Sequence, residues 1–347
     1  MPHNIQIKDH DIAFSCEPNI TVLDAALNAG YDIPYSCRTG ICGSCRGQIV
    51  AGDIKGGTGS GLSEEERRDG HVLLCQARPC SDLTVAVREV HKLDRSAIKT
   101  INAKVYRLTR AAHDVTILHL RFPAGVKVKF KAGQYLSVKL DDGSYRHFSM
   151  ANPPHQNDGV ELHIRHVPGG RFSAQVAERL AVGDMLEVSL PYGDFYLREE
   201  RDAPIVLLAG GTGFAPIKSL VEDAIKRKQT RSMVLYWGAR RQEDLYKLDL
   251  PQKWATQLPW FRFIPVLSEA GPADGWEGRT GFVHQAVMDD FGSLADLEVY
   301  ACGAPAMINA ARQGFVNERS LDRDAFYCDA FAPSAAAGPD TAPLAAG

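Results

Sequence analysis

The chain of 347 residues lacks the marks of a membrane protein and of a nucleic-acid-binding protein. Its most apolar runs, such as Pro204–Ala209, are far shorter than the roughly 18 residues that cross a bilayer. The net charge of −3 gives no broad electrostatic affinity for nucleic acid. The segment Met1–Lys8 contains no apolar core of a secretory signal. We therefore expect a cytoplasmic protein with no membrane or nucleic acid among its partners.

Several familiar binding motifs are missing as well. Cys42 and Cys45 form a single Cys-x2-Cys pair, whereas zinc sites more usually show two such pairs or Cys/His pairs. A disulfide framework belongs mostly to small secreted chains, which this sequence does not resemble. The glycine-rich segment Ala209–Pro216 is not followed by the Gly-Lys-Ser/Thr of a P-loop. The cysteines and glycines therefore indicate a site other than a zinc site, a disulfide framework or a P-loop.

Four of the eight cysteines have the spacing of a [2Fe–2S] cluster site. Cys37, Cys42 and Cys45 follow the plant-type pattern C-x4-C-x2-C, and Cys75 supplies a fourth thiol from a distant segment. Gly40 and Gly43 give the loop the backbone freedom to wrap around inorganic sulfide. The sequence thus predicts single-electron transfer. The other cysteines show no ligand spacing and are expected to be inert thiols by default.

The apolar pattern divides the chain into three folded segments. Residues 1–92 combine an alternating hairpin with short helices, including a capping-box match at Ser63–Glu66, and predict a small α+β unit. Residues 101–199 contain short alternating strands that predict an antiparallel barrel. Residues 200–333 alternate buried strands with helices, which predicts a parallel sheet. Between and after them we expect a linker at 93–100 and a disordered tail at 334–347.

Glycine turns mark two possible anion sites. Ala209–Pro216 follows a buried strand and opens a helix, so its backbone N–H groups are able to approach a pyrophosphate. Pro216 stands where the third glycine of G-x-G-x-x-G is expected, and the turn alone leaves a purely structural role equally open. His166–Ser173 is a second glycine turn ahead of a helix. Upstream, Tyr145–Asn152 places a cation, an aromatic ring and a hydroxyl on one strand.

Four segments, in this order, resemble the ferredoxin–NADP reductase superfamily: Arg146–Ser149, Gly169–Ser173, Gly210–Pro216 and Cys302–Pro305. With the cysteine-rich segment added, the chain to about residue 333 is similar to the reductase components of bacterial Rieske ring-hydroxylating dioxygenases. The resemblance implies a β-grasp [2Fe–2S] ferredoxin domain, an antiparallel flavin-binding β-barrel and a parallel-sheet NAD(P)-binding domain.

This resemblance also implies a function. NAD(P)H would give hydride to FAD, and single electrons would leave through the [2Fe–2S] cluster to a terminal Rieske oxygenase docked near the cluster loop. The oxygenase substrate would be terephthalate or a similar aromatic acid. Two alternatives stay open, namely the reductase of deoxysugar biosynthesis, which has a similar architecture, and a non-catalytic electron carrier.

The resemblance further assigns roles to individual residues. Arg146 would bind flavin phosphate, Phe148 would stack beside the isoalloxazine, and Ser149 would lie near its N5. The family usually has tyrosine at the position of Phe148, so stacking is kept while a phenol hydrogen bond is lost. An aromatic residue within Phe326–Phe331 would cover the other flavin face. The implied catalytic residues are Phe148, Ser149 and Cys302, and the remaining cofactor-binding residues are Arg146, His147, Gly169, Gly170, Arg171, Phe172, Ser173, Gly211, Thr212, Gly213, Arg240, Arg241, Gly303 and Phe331.

The preference between NADPH and NADH depends on the loop after Trp237. Arg240 and Arg241 are suited to a bidentate contact with a 2′-phosphate. Glu243 and Asp244 are suited instead to accept hydrogen bonds from a free 2′-hydroxyl or to cap a helix. The two signals conflict, and the sequence leaves both nucleotides open.

Overall fold

The computed structural model describes residues 1–271 and 275–332, so the predicted tail at 334–347 lies outside the described residues. The described chain forms two compact units, Met1–Ile98 and Lys99–Phe331. Within these residues, no helix has both the length and the hydropathy needed to cross a bilayer.

The first unit is built on a mixed sheet. In its described residues five strands pair in the order β2-β1-β8-β4-β6, with β1 and β8 parallel and the other pairs antiparallel. The predicted hairpin corresponds to β1 and β2. The elements are β1 (His3–Ile7), β2 (Ile12–Cys16), α1 (Val22–Asn28), β3 (Tyr31–Asp32), β4 (Arg46–Ala51), β5 (Ile54–Gly56), α2 (Glu64–Arg68), β6 (His71–Leu73), β7 (Ala77–Pro79), β8 (Leu83–Val87) and β9 (His91–Lys92).

Local signals explain where the two helices of this unit begin. The Thr21 hydroxyl accepts a hydrogen bond from the Asp24 amide and caps α1. The predicted capping box is confirmed at α2, where Ser63 and Glu66 bond to each other's backbone N–H groups. Residues 93–100, which the sequence analysis assigns to a linker, include a 3₁₀ turn at Arg95–Ala97 and the start of the next strand.

The second unit begins with an antiparallel sheet. Its described strands pair in the order β13-β12-β15-β10-β11-β14 and enclose an apolar core that includes the fully buried Leu118, Val138 and Leu162. This matches the barrel expected from alternating strands. The elements are β10 (Lys99–Ala112), β11 (Val115–Arg121), β12 (Tyr135–Lys139), β13 (Tyr145–Ser149), β14 (Gly159–Arg165), α3 (Arg171–Glu178) and β15 (Met185–Tyr192).

The same unit continues into a parallel sheet. The described strands pair in the order β19-β18-β17-β16-β20-β21, and every pair is parallel. The chain order reverses between β16 and β20, where the carboxyl ends of the strands leave a crevice for a ligand. The elements are β16 (Ile205–Gly210), α4 (Phe214–Lys226), β17 (Met233–Ala239), α5 (Asp249–Gln257), β18 (Phe261–Leu267), β19 (Arg279–Thr280), α6 (Val283–Asp290), β20 (Glu298–Gly303), α7 (Pro305–Arg319) and β21 (Phe326–Ala330).

The barrel and the parallel sheet are joined by buried polar contacts inside the second unit. The Lys218 ammonium on α4 donates to the Ala151 carbonyl at 3.1 Å, and the Ser219 hydroxyl donates to the Asn152 carbonyl at 2.8 Å. Both donors are almost fully buried. Helix α4 is therefore fixed to the segment that follows the barrel strand β13.

A buried ion pair anchors the start of β20. The Glu298 side chain is fully buried, and its Oε2 lies 2.7 Å from an Arg231 guanidinium nitrogen and 3.1 Å from the Tyr300 hydroxyl. Arg231 also donates to the carbonyls of Ala203 and Arg198. Removing one member of such a pair leaves an uncompensated charge in the core.

We predict that Arg231→Met destabilises the second unit by about 3–5 kcal/mol, because Glu298 is left buried without its cation. The control is Arg227→Met, whose pair with Glu199 is exposed to solvent and should contribute less than about 1 kcal/mol. All four tryptophans lie in the second unit, so urea unfolding followed by tryptophan fluorescence reports its stability. Equal losses in the two variants would contradict the prediction.

Candidate functional site

The four predicted cluster cysteines come together in the first unit as two pairs of thiols. Cys37 interacts with the thiol of Cys42, and Cys45 with the thiol of Cys75. Three of them lie on the loop before β4, and Cys75 lies between β6 and β7. A two-iron group takes four thiolates, so two neighbouring pairs suit a [2Fe–2S] cluster better than one tetrahedral ion.

The surroundings of Cys37 favour its thiolate form. The hydrogen bond from the Cys42 thiol, opposed by burial, lowers the pKa of Cys37 to about 5. The backbone N–H groups of Thr39 and Cys42 also point at the Cys37 sulfur, from 3.5 and 3.2 Å. The hydrogen bond with Cys75, together with burial, raises the pKa of Cys45 well above its ordinary value. Inward-pointing N–H groups are what a cluster with bridging sulfides requires.

A second glycine-rich segment, which the sequence analysis did not connect with the cluster, packs against the cysteine loop. A Cβ atom on Gly59 would lie 2.2 Å from the Gly40 carbonyl oxygen, and one on Gly61 would lie 2.8 Å from the Gly43 nitrogen. Gly40 and Gly43 themselves have φ near +79° and +78°. The sequence signal that could have indicated this packing is the density of glycine between residues 56 and 61. This close packing fixes the shape of the loop.

The outer part of the loop carries partly exposed residues. Arg38, Thr39 and Ile41 are all partly exposed, and Arg38 forms an ion pair with Asp24. Arg38 adopts φ of +54°, an uncommon conformation for a residue with a side chain. These residues form a surface beside the thiols.

Strand β13 brings together the residues assigned to the flavin. The Phe148 ring packs against the ring of Phe172, with ring centroids 5.1 Å apart. The buried Ser149 hydroxyl donates to Asp329 Oδ2 at 3.2 Å, which links the barrel to β21. Arg146 is partly exposed and donates to the Tyr145 carbonyl, while His147 is exposed. Asp329 was missed because the sequence analysis considered only the aromatic residues of its segment.

The turn before α3 forms a compact cradle at a helix N-terminus. Gly169 has φ of +74°, and Gly170 is the N-cap residue. A Cβ atom on Gly170 would lie 2.5 Å from the Ser173 hydroxyl, which bonds back to the backbone of Val167 and Gly170. Arg171 is the first helical residue and Phe172 is buried in the barrel core. Among the described residues no side chain caps the start of this helix, and such a helix end suits the pyrophosphate of FAD.

A second cradle lies at the crevice where the parallel sheet reverses its strand order. Gly211–Gly213, which includes Thr212, forms a 3₁₀ turn between β16 and α4. A Cβ atom on Gly213 would lie 2.0 Å from the Cys302 carbonyl oxygen, so only glycine permits this approach. The Phe331 amide donates to the Gly303 carbonyl at 2.9 Å. The structure thus brings Phe331 and the ends of β16 and β20 to one edge, as a dinucleotide site requires.

Cys302 lies within this edge but is fully buried. Burial, strengthened by the charge of Asp329, raises the pKa of the Cys302 thiol well above its ordinary value. The thiol is therefore neutral at neutral pH.

The loop after β17, which the sequence predicts to contact the ribose, contains charges of both signs. Arg240 is strongly exposed, and its Nε lies 3.7 Å from a carboxylate oxygen of Glu269. The Arg241 amide donates to Asp244 Oδ2 at 3.0 Å, so Asp244 caps the turn. Glu269 follows β18 and was missed, since its approach to Arg240 depends on the pairing of β17 with β18.

Arg165 is another residue that the sequence analysis did not assign. Its guanidinium atoms lie 3.0–3.2 Å from the position that a Cβ atom on Gly211 would take. Its Nε lies 3.1 Å from a carboxylate oxygen of Asp114. The barrel therefore places a cation beside the glycine turn of the parallel sheet, where a pyrophosphate would lie.

Family models match three parts of the chain. Residues 5–80 match the 2Fe-2S iron–sulfur cluster binding domain, residues 102–196 the oxidoreductase FAD-binding domain, and residues 207–313 the oxidoreductase NAD-binding domain. The predicted fold class and the predicted cofactors, a [2Fe–2S] cluster, FAD and NAD(P)H, are confirmed. The domain boundaries and the roles of single residues stay predictions.

Known proteins resemble the chain over almost its whole length. Reductase component 1 of terephthalate 1,2-dioxygenase from Comamonas sp. is 45% identical, over 96% of this chain and 98% of that protein. The CDP-6-deoxy-L-threo-D-glycero-4-hexulose-3-dehydrase reductase of Yersinia pseudotuberculosis is 38% identical, over 96% and 100%. The crystal structure of the Amycolatopsis cytochrome P450 reductase GcoB superposes with a TM-score of 0.75 and 33% identity, over 96% and 99%.

We predict that Cys45→Ser abolishes the absorbance of the cluster, because one of its four thiolates is lost, while NAD(P)H still bleaches the flavin. The control is Cys80→Ser, which changes an exposed cysteine outside the two thiol pairs and should keep the full iron content. Iron analysis and visible spectra of the two variants make the comparison. Loss of both chromophores in Cys45→Ser would mean that the two units do not function separately.

Proposed function

The chain belongs to the family of reductases that join a 2Fe-2S iron–sulfur cluster binding domain to oxidoreductase FAD- and NAD-binding domains, and we propose that it feeds electrons to the terminal oxygenase of an aromatic ring-hydroxylating dioxygenase. The electrons come from NAD(P)H and pass through FAD and the cluster. The likeness to a reductase component of terephthalate 1,2-dioxygenase over almost the whole chain is the observation that carries the proposal. The hydrogen bond between Ser149 and Asp329 agrees with it. It ties the flavin strand to the strand that ends beside the nucleotide crevice.

When bound, the nicotinamide and FAD supply hydride transfer, and the cluster accepts one electron at a time. The protein supplies placement. Phe148 and Ser149 line the region where nicotinamide would meet flavin, and the buried, neutral Cys302 thiol nearby adds no charge there. Ser149, held by Asp329, presents its hydroxyl oxygen at a fixed position.

Anion binding is shared between backbone and side chains. The N–H groups at the start of α3 and the Arg146 guanidinium hold the flavin phosphates. The turn Gly211–Gly213 and Arg165 hold the nucleotide pyrophosphate, because both lie at the same helix end. Phe331 covers the second flavin face, beside Gly303.

Electrons leave from the first unit. The partly exposed Arg38, Thr39 and Ile41 lie on the outer part of the cysteine loop and form the docking surface for a Rieske oxygenase. The substrate of that oxygenase is an aromatic acid such as terephthalate, in keeping with the relatives that are 45% identical.

A second candidate is the reductase of deoxysugar biosynthesis. Relatives named for that pathway are 38% identical over 96% of the chain, so the architecture alone does not separate the two functions. The genes beside this one separate them directly. A neighbouring pair of genes for a Rieske oxygenase supports the dioxygenase system, whereas genes for nucleotide-sugar enzymes support the alternative.

We expect the purified protein, loaded with FAD and the cluster, to reduce cytochrome c with NADH or NADPH. This one-electron acceptor tests the conversion of hydride into single electrons without needing the oxygenase. The matched control is Cys45→Ser with full flavin content, which should reduce cytochrome c far more slowly. If the loaded wild-type protein shows no activity with either nucleotide, the chain is a carrier and not a reductase.

Arg241→Ala should raise the KM for NADPH about tenfold and leave the KM for NADH nearly unchanged, since only NADPH has a 2′-phosphate for the guanidinium. Steady-state kinetics with both nucleotides measure the difference. Arg227→Ala removes an exposed arginine that pairs with Glu199 and serves as the control. Equal changes of the two KM values would remove Arg241 from the specificity of the site.

A further inference from the structure

A buried network of hydrogen bonds connects the barrel with the parallel sheet close to the nucleotide turn. At its centre is His163 on β14, whose side chain is fully buried. Its Nε2 lies 2.7 Å from Glu161 Oε1, and its Nδ1 lies 2.8 Å from the Tyr246 hydroxyl oxygen. Tyr246 belongs to the segment between β17 and α5, so this contact crosses from one sheet to the other.

The charges around His163 fix the direction of both hydrogen bonds. Although burial acts to raise the pKa of Glu161, the hydrogen bond from His163 and the charge of Lys218 bring it to about 2. Burial lowers the pKa of His163 and keeps its ring neutral. A neutral ring has one N–H, which is used at Nε2 to donate to the ionised carboxylate. Nδ1 therefore accepts from the Tyr246 hydroxyl, which burial keeps protonated by raising its pKa.

Charged and titratable groups on neighbouring elements contact Glu161 and Lys218 in this network. His119 on β11 lies 3.9 Å from a Glu161 oxygen, and Lys218 on α4 lies 3.6 Å from the other. Lys218 also bonds to Glu222 at 2.9 Å. Because Glu161 is held from three sides, the orientation of the His163 ring is fixed by the barrel and by α4 together.

Tyr246 is connected to the glycine turn through Trp237. Its ring meets Trp237 edge to face, with centroids 5.4 Å apart and planes at 88°. The Trp237 indole N–H donates to the Gly211 carbonyl at 2.9 Å, and the indole stacks on Phe214 with centroids 4.0 Å apart. Gly211 opens the turn that approaches the nucleotide, and Phe214 is the first residue of α4.

A purely stabilising role does not explain this arrangement well. Buried charged and polar groups often contribute no more stability than apolar residues of the same volume, whereas they define one geometry. We propose that Tyr246 is a positioning residue, whose hydroxyl, held by His163, sets the glycine turn relative to the flavin strand and so aligns nicotinamide with flavin. This inference rests on the proposed function. Hydride transfer is sensitive to such placement, since a shift of about 1 Å costs up to a hundredfold in rate.

The test is Tyr246→Phe, which removes the hydroxyl and keeps the ring against Trp237. Anaerobic rapid mixing should show flavin bleaching at saturating NAD(P)H slowed about tenfold or more, with unchanged flavin content. The matched control is Tyr236→Phe, which removes a hydroxyl bonded to Asp290 elsewhere in the same domain and should bleach at the wild-type rate. Equal rates in wild type and Tyr246→Phe, or an equal loss in the control, would overturn the proposal.

Hydrogen–deuterium exchange gives a readout that does not depend on activity. The amides of residues 211–213 should exchange faster in Tyr246→Phe than in wild type, and should be unchanged in Tyr236→Phe. If Tyr246→Phe does not fold, His163→Gln replaces it, because glutamine still donates to Glu161 but lacks the ring nitrogen that accepts from Tyr246.

The outcomes separate this inference from the proposed function. If neither nucleotide bleaches the wild-type flavin, the proposed function fails, and unchanged exchange at residues 211–213 would also remove the positioning role. If the wild type is bleached and Tyr246→Phe matches it in rate and exchange, only the positioning role fails. In the double variant His163→Gln/Tyr246→Phe the two effects should not add, since both break one bond.

Discussion

The close approach of Gly213 to the carbonyl of Cys302 is the constraint on which the nucleotide site depends. Any side chain at residue 213 would collide with the end of β20. Because the two chain segments touch there, the N-terminus of α4, Cys302, Gly303 and Phe331 share one edge of the parallel sheet. The hydrogen bond from Ser149 to Asp329 then places β13, the proposed flavin strand, at that same edge. One steric contact and one hydrogen bond thus bring the proposed nicotinamide site and the proposed flavin site together.

Much of the fold and of the cofactor chemistry was predictable because it is encoded in short segments. The cysteine spacing defines a loop in which sequence neighbours supply three of the four thiols. The capping box at Ser63 is likewise a local signal, and so are the alternating strands of the barrel. Glycine turns between a strand and a helix are also local, which explains why the turns within His166–Ser173 and Ala209–Pro216 were both recognised as possible anion sites from the sequence.

The residues that sequence reasoning missed are those whose roles depend on distant partners. Gly59 supports the cluster loop only because its own segment, distant in sequence, folds against Gly40. In the sequence His163 is an ordinary strand histidine, because its partner Tyr246 lies on a distant segment that contacts β14 only in the folded protein. Asp329 and Glu269 gain their partners through strand pairings that no local pattern specifies. Glu269 likewise comes within 3.7 Å of Arg240, one of the two arginines considered for a 2′-phosphate, only through the pairing of β17 with β18.

In the proposed function, electrons enter at the nucleotide crevice and leave through the thiol loop of the first unit. Anaerobic rapid mixing of the loaded protein with NAD(P)H, followed at the separate absorbances of flavin and cluster, tests it most directly. We expect the flavin to be reduced first and the cluster to follow, and we expect the cluster of flavin-free protein to stay oxidised. Reduction of the cluster by NAD(P)H in flavin-free protein would contradict it.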